Sequence, residues 1–78
     1  MHDGDFEWDD EKAHSNLLKH GISFEAARRV FDDAFALGRD DVGRMGDEAR
    51  YMLVGMVNGI VLTTIYTERG ESTRIISA

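Results

Sequence analysis

The sequence predicts an α+β fold in which two N-terminal helices pack on a small, mostly antiparallel twisted sheet. Residues 50–77 predict the sheet, because they read as three strands separated by turn signals at Asn58-Gly59 and Arg69-Gly70. Two apolar-periodic segments between residues 9 and 31 predict the helices, since a capping residue precedes each of them. The 78 residues contain no proline and no low-complexity linker, so we expect a single domain spanning residues 1–78.

The first predicted helix begins after an N-cap at Asp9 or Asp10 and ends near His20. Glu11 suits its first turn, because negative charge is favourable at the N-terminal end of the helix dipole. Gly21 then provides a left-handed C-cap, a conformation that glycine adopts easily. Local signals alone therefore predict both ends of this helix.

Two further segments contribute to the predicted core. The second helix is capped by Ser23, and its apolar positions recur at the helical period: Phe24, Ala27, Val30 and Phe31. Ahead of the first helix, residues 6–8 predict either a first strand or a hydrophobic staple. Trp8 is expected in the core, because large aromatic side chains near a terminus usually anchor it.

The stretch between the helices and the hairpins is predicted as a strand followed by a loop. Residues 34–39 alternate, with Phe35 and Leu37 on one face, which is typical of a strand. Residues 40–48, with the sequence DDVGRMGDE, are mostly polar and include glycines at two positions. This composition predicts a surface loop.

Two-residue turns would fix the register of the sheet by counting. Val57 then faces Ile60, Tyr51 faces Tyr66, and Tyr66 faces Thr73. Of the two resulting faces, one carries Tyr51, Leu53, Leu62, Thr64, Tyr66, Thr73 and Ile75. The other carries Arg50, Met52, Val54, Ile65, Thr67, Arg74 and Ile76.

Arg50 and Arg74 lie on this second face, on the two strands that flank Thr67 of the middle strand. Two guanidinium groups at such a spacing can converge on one anion, since adjacent strands are about 4.8 Å apart. Alternatively, each arginine caps the rim of the sheet and pairs with an acid, as charged surface residues commonly do. The sequence leaves both interpretations open.

A stripe of polar side chains runs along the first helix. Lys12, Asn16, Lys19 and His20 fall within about 100° of one another when the helix is plotted at about 100° per residue. Positive charge suits the last turn of a helix, so a solvated face explains Lys19 and His20 without any ligand. The alternative is a face directed at phosphate groups.

The composition excludes several classes of function. Without cysteine, the chain has no disulfide framework and no thiolate metal site or nucleophile. We expect no cofactor and no metal, because the sequence has no Gly-rich phosphate loop and no cluster of His, Asp and Glu at ligand spacing. An acidic N-terminus and the lack of an apolar run of roughly 20 residues predict a cytoplasmic location. A net charge of −6 argues against a broad basic surface but allows a local basic cleft.

Four segments, FEWDDEK, NLLKHGISFEAARRVFDD, EARYMLVG and TERGESTRIISA, follow one another along the chain. Together they resemble the BrnT family of ribonuclease toxins from bacterial type II toxin-antitoxin systems. The resemblance implies a compact fold similar to RelE-type toxins and an endoribonuclease that cleaves RNA without a metal. It also implies a cognate antitoxin that neutralises the toxin and represses the operon with it through a DNA-binding domain. Family members usually continue past RIISA with a basic helix, whereas this sequence ends at Ala78.

The resemblance also implies which residues form the site. The polar positions that match the family pattern are Lys12, Asn16, Lys19, His20, Glu48, Arg50, Arg69 and Arg74. We expect His20 and Glu48 to transfer protons, since cleavage by the adjacent 2′-hydroxyl needs an acid and a base. Arg50 and Arg74 are expected to stabilise the transition state. The remaining positions, Lys12, Asn16, Lys19 and Arg69, are expected to bind the substrate.

A second function is compatible with the same sequence. The chain is acidic, and its last strand leaves an edge or an apolar patch for another protein to cover. These features are typical of a non-catalytic interaction module, a shortened toxin-like domain that binds a partner protein. A toxin must also bind its antitoxin, so a homo- or hetero-oligomer fits both functions. Only the ribonuclease would show RNA binding with a steep dependence on salt.

Overall fold

The strands form one six-stranded sheet across the part of the chain that the structure describes. This computed structural model describes residues 2–46 and 48–78, without the side chains of residues 2, 3, 41, 44 and 45. The strands are β1 (His2–Asp3), β2 (Phe6–Glu7), β3 (Leu37–Met45), β4 (Glu48–Val57), β5 (Ile60–Arg69) and β6 (Ser72–Ser77). Their order in the sheet is β1-β2-β6-β5-β4-β3. Strands β2 and β6 are parallel, and the other described pairs are antiparallel.

Helix α1 spans Asp10–His20, so the predicted ends are confirmed. The Asp9 carboxylate accepts hydrogen bonds from the backbone N–H groups of Glu11 at 2.8 Å and Lys12 at 3.3 Å. These bonds satisfy two of the donors that a helix leaves free at its N-terminus. Gly21 ends the helix in the left-handed region, with φ 71°.

Helix α2 is shorter than the sequence predicts. It spans Phe24–Arg28 and continues as a 3₁₀ turn over Arg29–Asp32. The predicted cap is confirmed, because the Ser23 hydroxyl accepts a hydrogen bond from the Ala26 N–H at 3.0 Å. Acidic side chains at the end of the segment oppose the helix dipole, which favours an early end of the α-helix.

The predicted fold class, two N-terminal helices on a small and mostly antiparallel sheet like that of RelE-type toxins, is wrong. Strands dominate the structure, the sheet is mixed, and two strands precede the helices, which lie in the middle of the chain order. The two early strands have only two residues each, so they are too short to show periodicity. Their place in the sheet is set by pairing with distant residues, such as Phe6 with Thr73.

The predicted strand and loop between residues 34 and 48 are also wrong in their bounds. The strand begins only at Leu37, and the predicted loop contains most of β3 and the start of β4; Asp47 lies outside the described residues. Strand β3 lies at one edge of the sheet, and every described side chain on it is exposed. A register shift between Arg39 and Gly43 also interrupts the regular alternation of side chains along β3. An exposed edge strand needs no apolar alternation, so its composition resembled that of a loop.

The two turns of the central sheet differ in how well they follow the prediction. Asn58 and Gly59 have φ values of 51° and 80°, so the predicted type I′ turn is confirmed, with Val57 opposite Ile60. The second turn is centred on Gly70-Glu71, one residue later than expected, with φ 59° at the glycine. Glycine at the first central position is the requirement of a type II′ turn.

This later turn moves the pairing of β6 by two residues. Tyr66 therefore faces Ile75 and not Thr73, as counting from the earlier turn had predicted. Side chains alternate with a period of two along a strand, so a shift by two residues leaves each side chain on its predicted face. The faces deduced for Arg50 and Arg74 are thus the ones that the register produces.

The core lies between the helices and one face of the sheet. Its two buried clusters are Trp8, Phe24, Ala27 and Ile75, and Val30, Val57 and Leu62. Thr64 is fully buried, and its hydroxyl donates a hydrogen bond to the Ala27 carbonyl oxygen at 3.1 Å, which ties β5 to α2. The opposite face is called the open face here; Met56 and Val61 are more than half exposed on it.

A row of aromatic rings crosses the helix-covered face near the end of the sheet where β4 begins. The rings belong to Phe6, Phe31, Tyr66 and Tyr51, with successive centroid separations of 5.0, 5.0 and 5.4 Å. Edge-on and offset contacts at these distances are favourable for aromatic pairs. The next residues along the strands, Glu7, Thr67 and Arg50, point to the open face. The aromatic row therefore packs on one face of the strands whose opposite face carries these three polar residues.

Gly55 is predicted to be essential for the packing of the 3₁₀ turn against β4. An added Cβ would lie 2.9 Å from Val30 Cγ1, 3.1 Å from Asp33 Oδ2 and 3.2 Å from Ala36 Cβ. We expect Gly55→Ala to lower the free energy of unfolding by about 2 kcal/mol, the usual cost of overpacking. Urea unfolding measures it. Gly43→Ala is the control, because an added Cβ there meets nothing within 4 Å; equal effects of the two changes would contradict the prediction.

Candidate functional site

Charged side chains from four strands, β2, β4, β5 and β6, meet on the open face where β4 begins and β5 ends. Arg69 Nε lies 2.9 Å from Glu48 Oε2, because the first residue of β4 and the last residue of β5 are neighbours in an antiparallel pair. On β6, Arg74 Nη1 lies 2.7 Å from Glu7 Oε2, a contact that follows from the pairing of Glu7 with Arg74. We call Arg50, Arg69 and Arg74 the arginine cluster.

The pKa of Glu48 shows that the cluster surrounds one carboxylate. The hydrogen bond from Arg69 is the largest cause that holds this pKa below its ordinary value of 4.5, although partial burial opposes it. The charges of Arg69, Arg50 and Arg74 lower the pKa further. Glu48 is therefore ionised at neutral pH, and it lies within electrostatic range of all three cations.

Arg50 is the member of the cluster whose hydrogen bonding is least complete. Its side chain is half-buried, and its Nε is buried without a hydrogen-bond partner among the described residues. Next to it, the Thr67 hydroxyl donates to the Ala49 carbonyl oxygen at 2.7 Å. Buried donors are nearly always hydrogen-bonded in proteins, and cationic donors more strongly than neutral ones. An unsatisfied guanidinium atom next to two paired arginines thus marks Arg50 as a candidate anion ligand.

The polar stripe of α1 borders a shallow groove between this helix and the last residues of β6. This basic groove has a volume of about 210 Å³ and is lined by Lys12, Ser15, Asn16, Lys19, His20, Ile76 and Ser77. No acidic residue is among these lining residues. The structure thus brings Lys12, Lys19 and His20 together, as the helical period predicts.

Asn16 differs from its neighbours on the stripe because the fold already occupies its amide. It is buried, its Nδ2 donates to the Ile22 carbonyl oxygen at 3.1 Å, and its Oδ1 accepts from the Ala78 N–H at 3.2 Å. These bonds connect α1 to the segment before α2 and to the residue after β6. Its role as a substrate ligand stays a prediction; these two bonds leave one N–H of Nδ2 and one lone pair of Oδ1 for a further partner.

His20 lies outside the arginine cluster. It borders the basic groove and a second, apolar groove of about 500 Å³, which Leu17, Ile22 and Ala26 line on the helical side and Val57, Ile60 and Leu62 line on the sheet side. We call this second cavity the hairpin groove. Arg50 and Val57 are seven residues apart on β4, which corresponds to about 23 Å along a strand. The predicted catalytic set is therefore divided between two places.

Sequence reasoning missed two residues of this region. Glu7 holds Arg74 in place, and Thr67 is fully buried beside the cluster, where its hydroxyl ties β5 to β4. Glu7 follows Phe6 in a segment that the sequence left open between a strand and a staple. The alternation of an apolar and an acidic residue was a signal for a strand, but nothing local shows that this strand pairs with β6.

Within residues 2–46 and 48–78, no three His, Cys, Asp or Glu side chains are grouped so that they could share a metal ion. None of the helices described in these ranges has the length and apolar character that crossing a membrane requires.

Comparison with known proteins adds a family to this geometry. The sequence profile of a family described as the ribonuclease toxin BrnT of a type II toxin-antitoxin system matches residues 8–78. This chain belongs to the BrnT family. No curated protein matches the sequence at a significant level. The family match covers α1, α2 and strands β3 to β6, and so includes all the predicted site residues.

Membership in the BrnT family confirms the resemblance that the four sequence segments had indicated. A BrnT protein is a ribonuclease toxin, so RNA is the substrate class, and the partner of a type II toxin is its antitoxin. The arginine cluster and the basic groove are two places in the described structure where several cations come together; two arginines of the cluster are paired with carboxylates, and no acidic residue lines the groove.

We predict that Arg69→Ala raises the pKa of Glu48 towards its ordinary value of 4.5, because the hydrogen bond from Arg69 is the largest cause of the shift. Carboxyl NMR titration measures it. The pKa of Asp9 is the internal control, since backbone N–H groups of Lys12 and Glu11 lower it. Since folding lowers the pKa of Glu48, its stabilising effect is present at neutral pH and is lost in acid. An unchanged Glu48 pKa in the variant would contradict this assignment.

We predict a structural role for the buried amide of Asn16. Asn16→Ala removes both of its hydrogen bonds and leaves the Ile22 carbonyl oxygen and the Ala78 N–H without partners. The free energy of unfolding is expected to fall by about 1–3 kcal/mol, measured by urea denaturation. Ser15→Ala, at an exposed neighbour on α1, is the control and is expected to have little effect. If Asn16→Ala were as stable as the wild type, the predicted stabilising role of the Asn16 amide would be contradicted.

Proposed function

We propose that this chain is a metal-independent endoribonuclease and that the phosphate it attacks binds at the arginine cluster. The observation that supports this assignment is the position of Arg50, a half-buried cation whose Nε lacks a hydrogen-bond partner among the described residues. It belongs to a group of three arginines around one carboxylate. The guanidinium group of Arg50 has five N–H donors, and an RNA phosphate would offer acceptors to those that reach the open face.

The other two arginines retain donors for a phosphate although each is paired with a carboxylate. A guanidinium group has five N–H donors, and the bond to Glu7 uses one nitrogen of Arg74 while the bond to Glu48 uses Nε of Arg69. The carboxylates also fix the directions of these guanidinium groups. Cations that are oriented before the substrate arrives stabilise developing charge without a cost of reorganisation.

The reaction uses the 2′-hydroxyl next to the scissile phosphate. The 2′-oxygen forms a bond to phosphorus, the bond from phosphorus to the 5′-oxygen breaks, and the products carry a 2′,3′-cyclic phosphate and a 5′-hydroxyl. A base takes the proton of the 2′-hydroxyl, and the leaving 5′-oxygen gains a proton. Arg50 and Arg74 stabilise the additional negative charge on the phosphorane-like transition state, and Arg69 positions the substrate.

Glu48 is the better situated of the two residues predicted for proton transfer. It lies in the cluster and is ionised at neutral pH, so it can accept the proton of the 2′-hydroxyl, although its lowered pKa makes it a weaker base than an ordinary glutamate. A general acid or base must come within hydrogen-bond reach of the reacting atoms. His20 lines the basic groove and the hairpin groove and is not part of the arginine cluster, so it meets this condition only for a different phosphate. Its catalytic role stays a prediction, and the variants below test it.

The basic groove supplies contacts for the RNA that flanks the cleaved bond. Its lining residue Ile76 follows Arg74 by two positions on β6, which is about 7 Å and close to the spacing of successive phosphates in an extended strand. Lys12 and Lys19 face this path as cations. We assign them, and the remaining N–H of the Asn16 amide, to substrate binding.

The antitoxin partner completes the proposal. The family implies a protein that neutralises the toxin, and the sequence resemblance adds that it carries a DNA-binding domain and represses the operon together with the toxin. The competing function is a non-catalytic module that binds the antitoxin without cleaving RNA. An exposed strand edge beside the hairpin groove favours the protein-binding part of this alternative. Both functions place the protein in the cytoplasm.

The test is cleavage of an end-labelled single-stranded RNA by the purified chain in excess EDTA. We expect Arg50→Ala and Arg74→Ala each to reduce the rate by about a hundredfold or more, since one preorganised charge contributes about 3 kcal/mol. Glu48→Gln is expected to have a similar effect. Arg39→Ala is the matched control, an exposed arginine on the open face opposite Met52, and it should retain the wild-type rate.

Three results would overturn parts of this proposal. Arg50→Ala cleaving at the wild-type rate while folded, as shown by its unfolding midpoint, would remove the cluster from the site. A full loss of activity in His20→Gln with activity retained in Glu48→Gln would move the reaction to the basic groove. No cleavage by the wild type, with or without EDTA, would favour the interaction module.

A further inference from the structure

Strand β5 has an unpaired edge along its first half. Strand β6 begins its pairing with β5 at Ile65, opposite Ser77, so residues 60–64 of β5 have β4 on one side and no strand on the other among the described residues. Val61 is opposite Met56, and Thr63 is opposite Val54. Counting from the type I′ turn makes both of these pairs non-hydrogen-bonded, so Val61 and Thr63 direct their N–H and C=O groups outward.

On strand β4, the other strand of the same hairpin, an outward-pointing backbone N–H group is already hydrogen-bonded within the protein. The N–H of Met56 also points away from its partner strand, and the Asp33 carboxylate accepts its hydrogen bond at 2.8 Å. The N–H groups of Val61 and Thr63 have no such acceptor among the described residues. Edge strand β3 has other features that disfavour pairing with a further strand: the charged residues Arg39 and Asp40 and an irregular register.

Apolar side chains surround the free edge. Ile60 and Val61 are each 62% exposed, and Leu17, across the hairpin groove from them, is 46% exposed. Exposed β-branched side chains beside free backbone donors and acceptors are the features that allow an additional strand to bind. Nucleic acid would gain little from this surface, because it offers apolar contacts and no arginine.

The charges near the free edge of β5 indicate what kind of partner strand could bind there. The chain as a whole has 15 acidic and 9 basic residues, yet neither the hairpin groove nor the adjoining basic groove is lined by an acidic residue. Lys12, Lys19 and His20 are the titratable side chains that line them. His20 lines both grooves and Lys19 lines the basic groove beside it, an arrangement that is complementary to an acidic group that follows an apolar segment.

We propose that the antitoxin binds by adding an extended segment, apolar with acidic residues at its end, to the free edge of β5. Its backbone pairs with Val61 and Thr63, alternate side chains enter the hairpin groove, and its acidic end faces Lys19 and His20. The partner itself comes from the family, and the proposal does not depend on which residues cleave RNA. Its failure is therefore distinguishable from a failure of the arginine cluster in the cleavage assay.

The first test is amide hydrogen exchange of the chain, free and in complex with the antitoxin encoded in its operon. We expect the amides of Val61 and Thr63 to exchange rapidly in the free protein and about a hundredfold more slowly in the complex. The Met56 amide, already bonded to Asp33, is the internal control and should change little. A stable complex in which Val61 and Thr63 exchange as fast as before would overturn the proposal, and so would the failure of the two proteins to associate.

The second test uses a pair of cross-strand neighbours. Val61→Glu and Met56→Glu introduce the same charge at two exposed positions that face each other on the open face. We expect Val61→Glu to weaken antitoxin binding at least tenfold, because it places an unpaired charge against the apolar part of the segment, and Met56→Glu to weaken it by no more than about twofold. Calorimetric titration measures both, after urea unfolding has shown that both variants fold. Equal weakening would assign the antitoxin to the open face and overturn the proposal.

A third measurement tests the other class of ligand. A single-stranded RNA oligonucleotide is added to the free protein, and the exchange of the same two amides is recorded. We expect no protection, because RNA gains little from a free strand edge. Protection of Val61 and Thr63 by RNA alone would assign this edge to the substrate and overturn the proposal.

Discussion

The positive φ angles of Asn58 and Gly59 constrain the whole sheet. A type I′ turn fixes the pairing of β4 with β5, and the pairing then decides the direction of every backbone and side-chain group along ten residues. At the turn it directs the N–H of Val61 outward, and at the far end it brings Glu48 next to Arg69. The free edge and the arginine cluster are therefore two consequences of one turn.

The parallel pairing of β2 with β6 is the second constraint, and it could not be predicted from the sequence. It joins residues near the two ends of the described chain, and it involves two residues of β2. Such pairing gives no periodic signal, and its cost in chain entropy is recovered only after the core forms. Yet it places Glu7 next to Arg74, the arginine that it pairs with.

Local chemistry explains which parts of the fold were predictable. The caps Asp9, Ser23 and Gly21 and the turn at Asn58-Gly59 depend on residues a few positions apart, and each prediction was confirmed. Strand β3 depends on its place at the edge, so its sequence carries no apolar alternation. The same distinction holds for the candidate site. Sheet periodicity placed the arginines on one face, and helical periodicity grouped the cations of α1, but the distance between the two groups depends on tertiary structure.

This distance has a consequence for inhibition. An antitoxin segment on residues 60–64 of β5 lies towards the hairpin end, whereas Thr67, the neighbour of Arg50, is three residues further along β5, which corresponds to about 10 Å. A strand paired with five residues covers about 17 Å and stops short of the cluster. Neutralisation then requires the antitoxin to continue along β6, where the basic groove is lined by Lys12 and Lys19. The groove that we assign to flanking RNA is thus the surface that antitoxin and substrate would have to share, and the two would compete there even if the arginine cluster itself stayed uncovered.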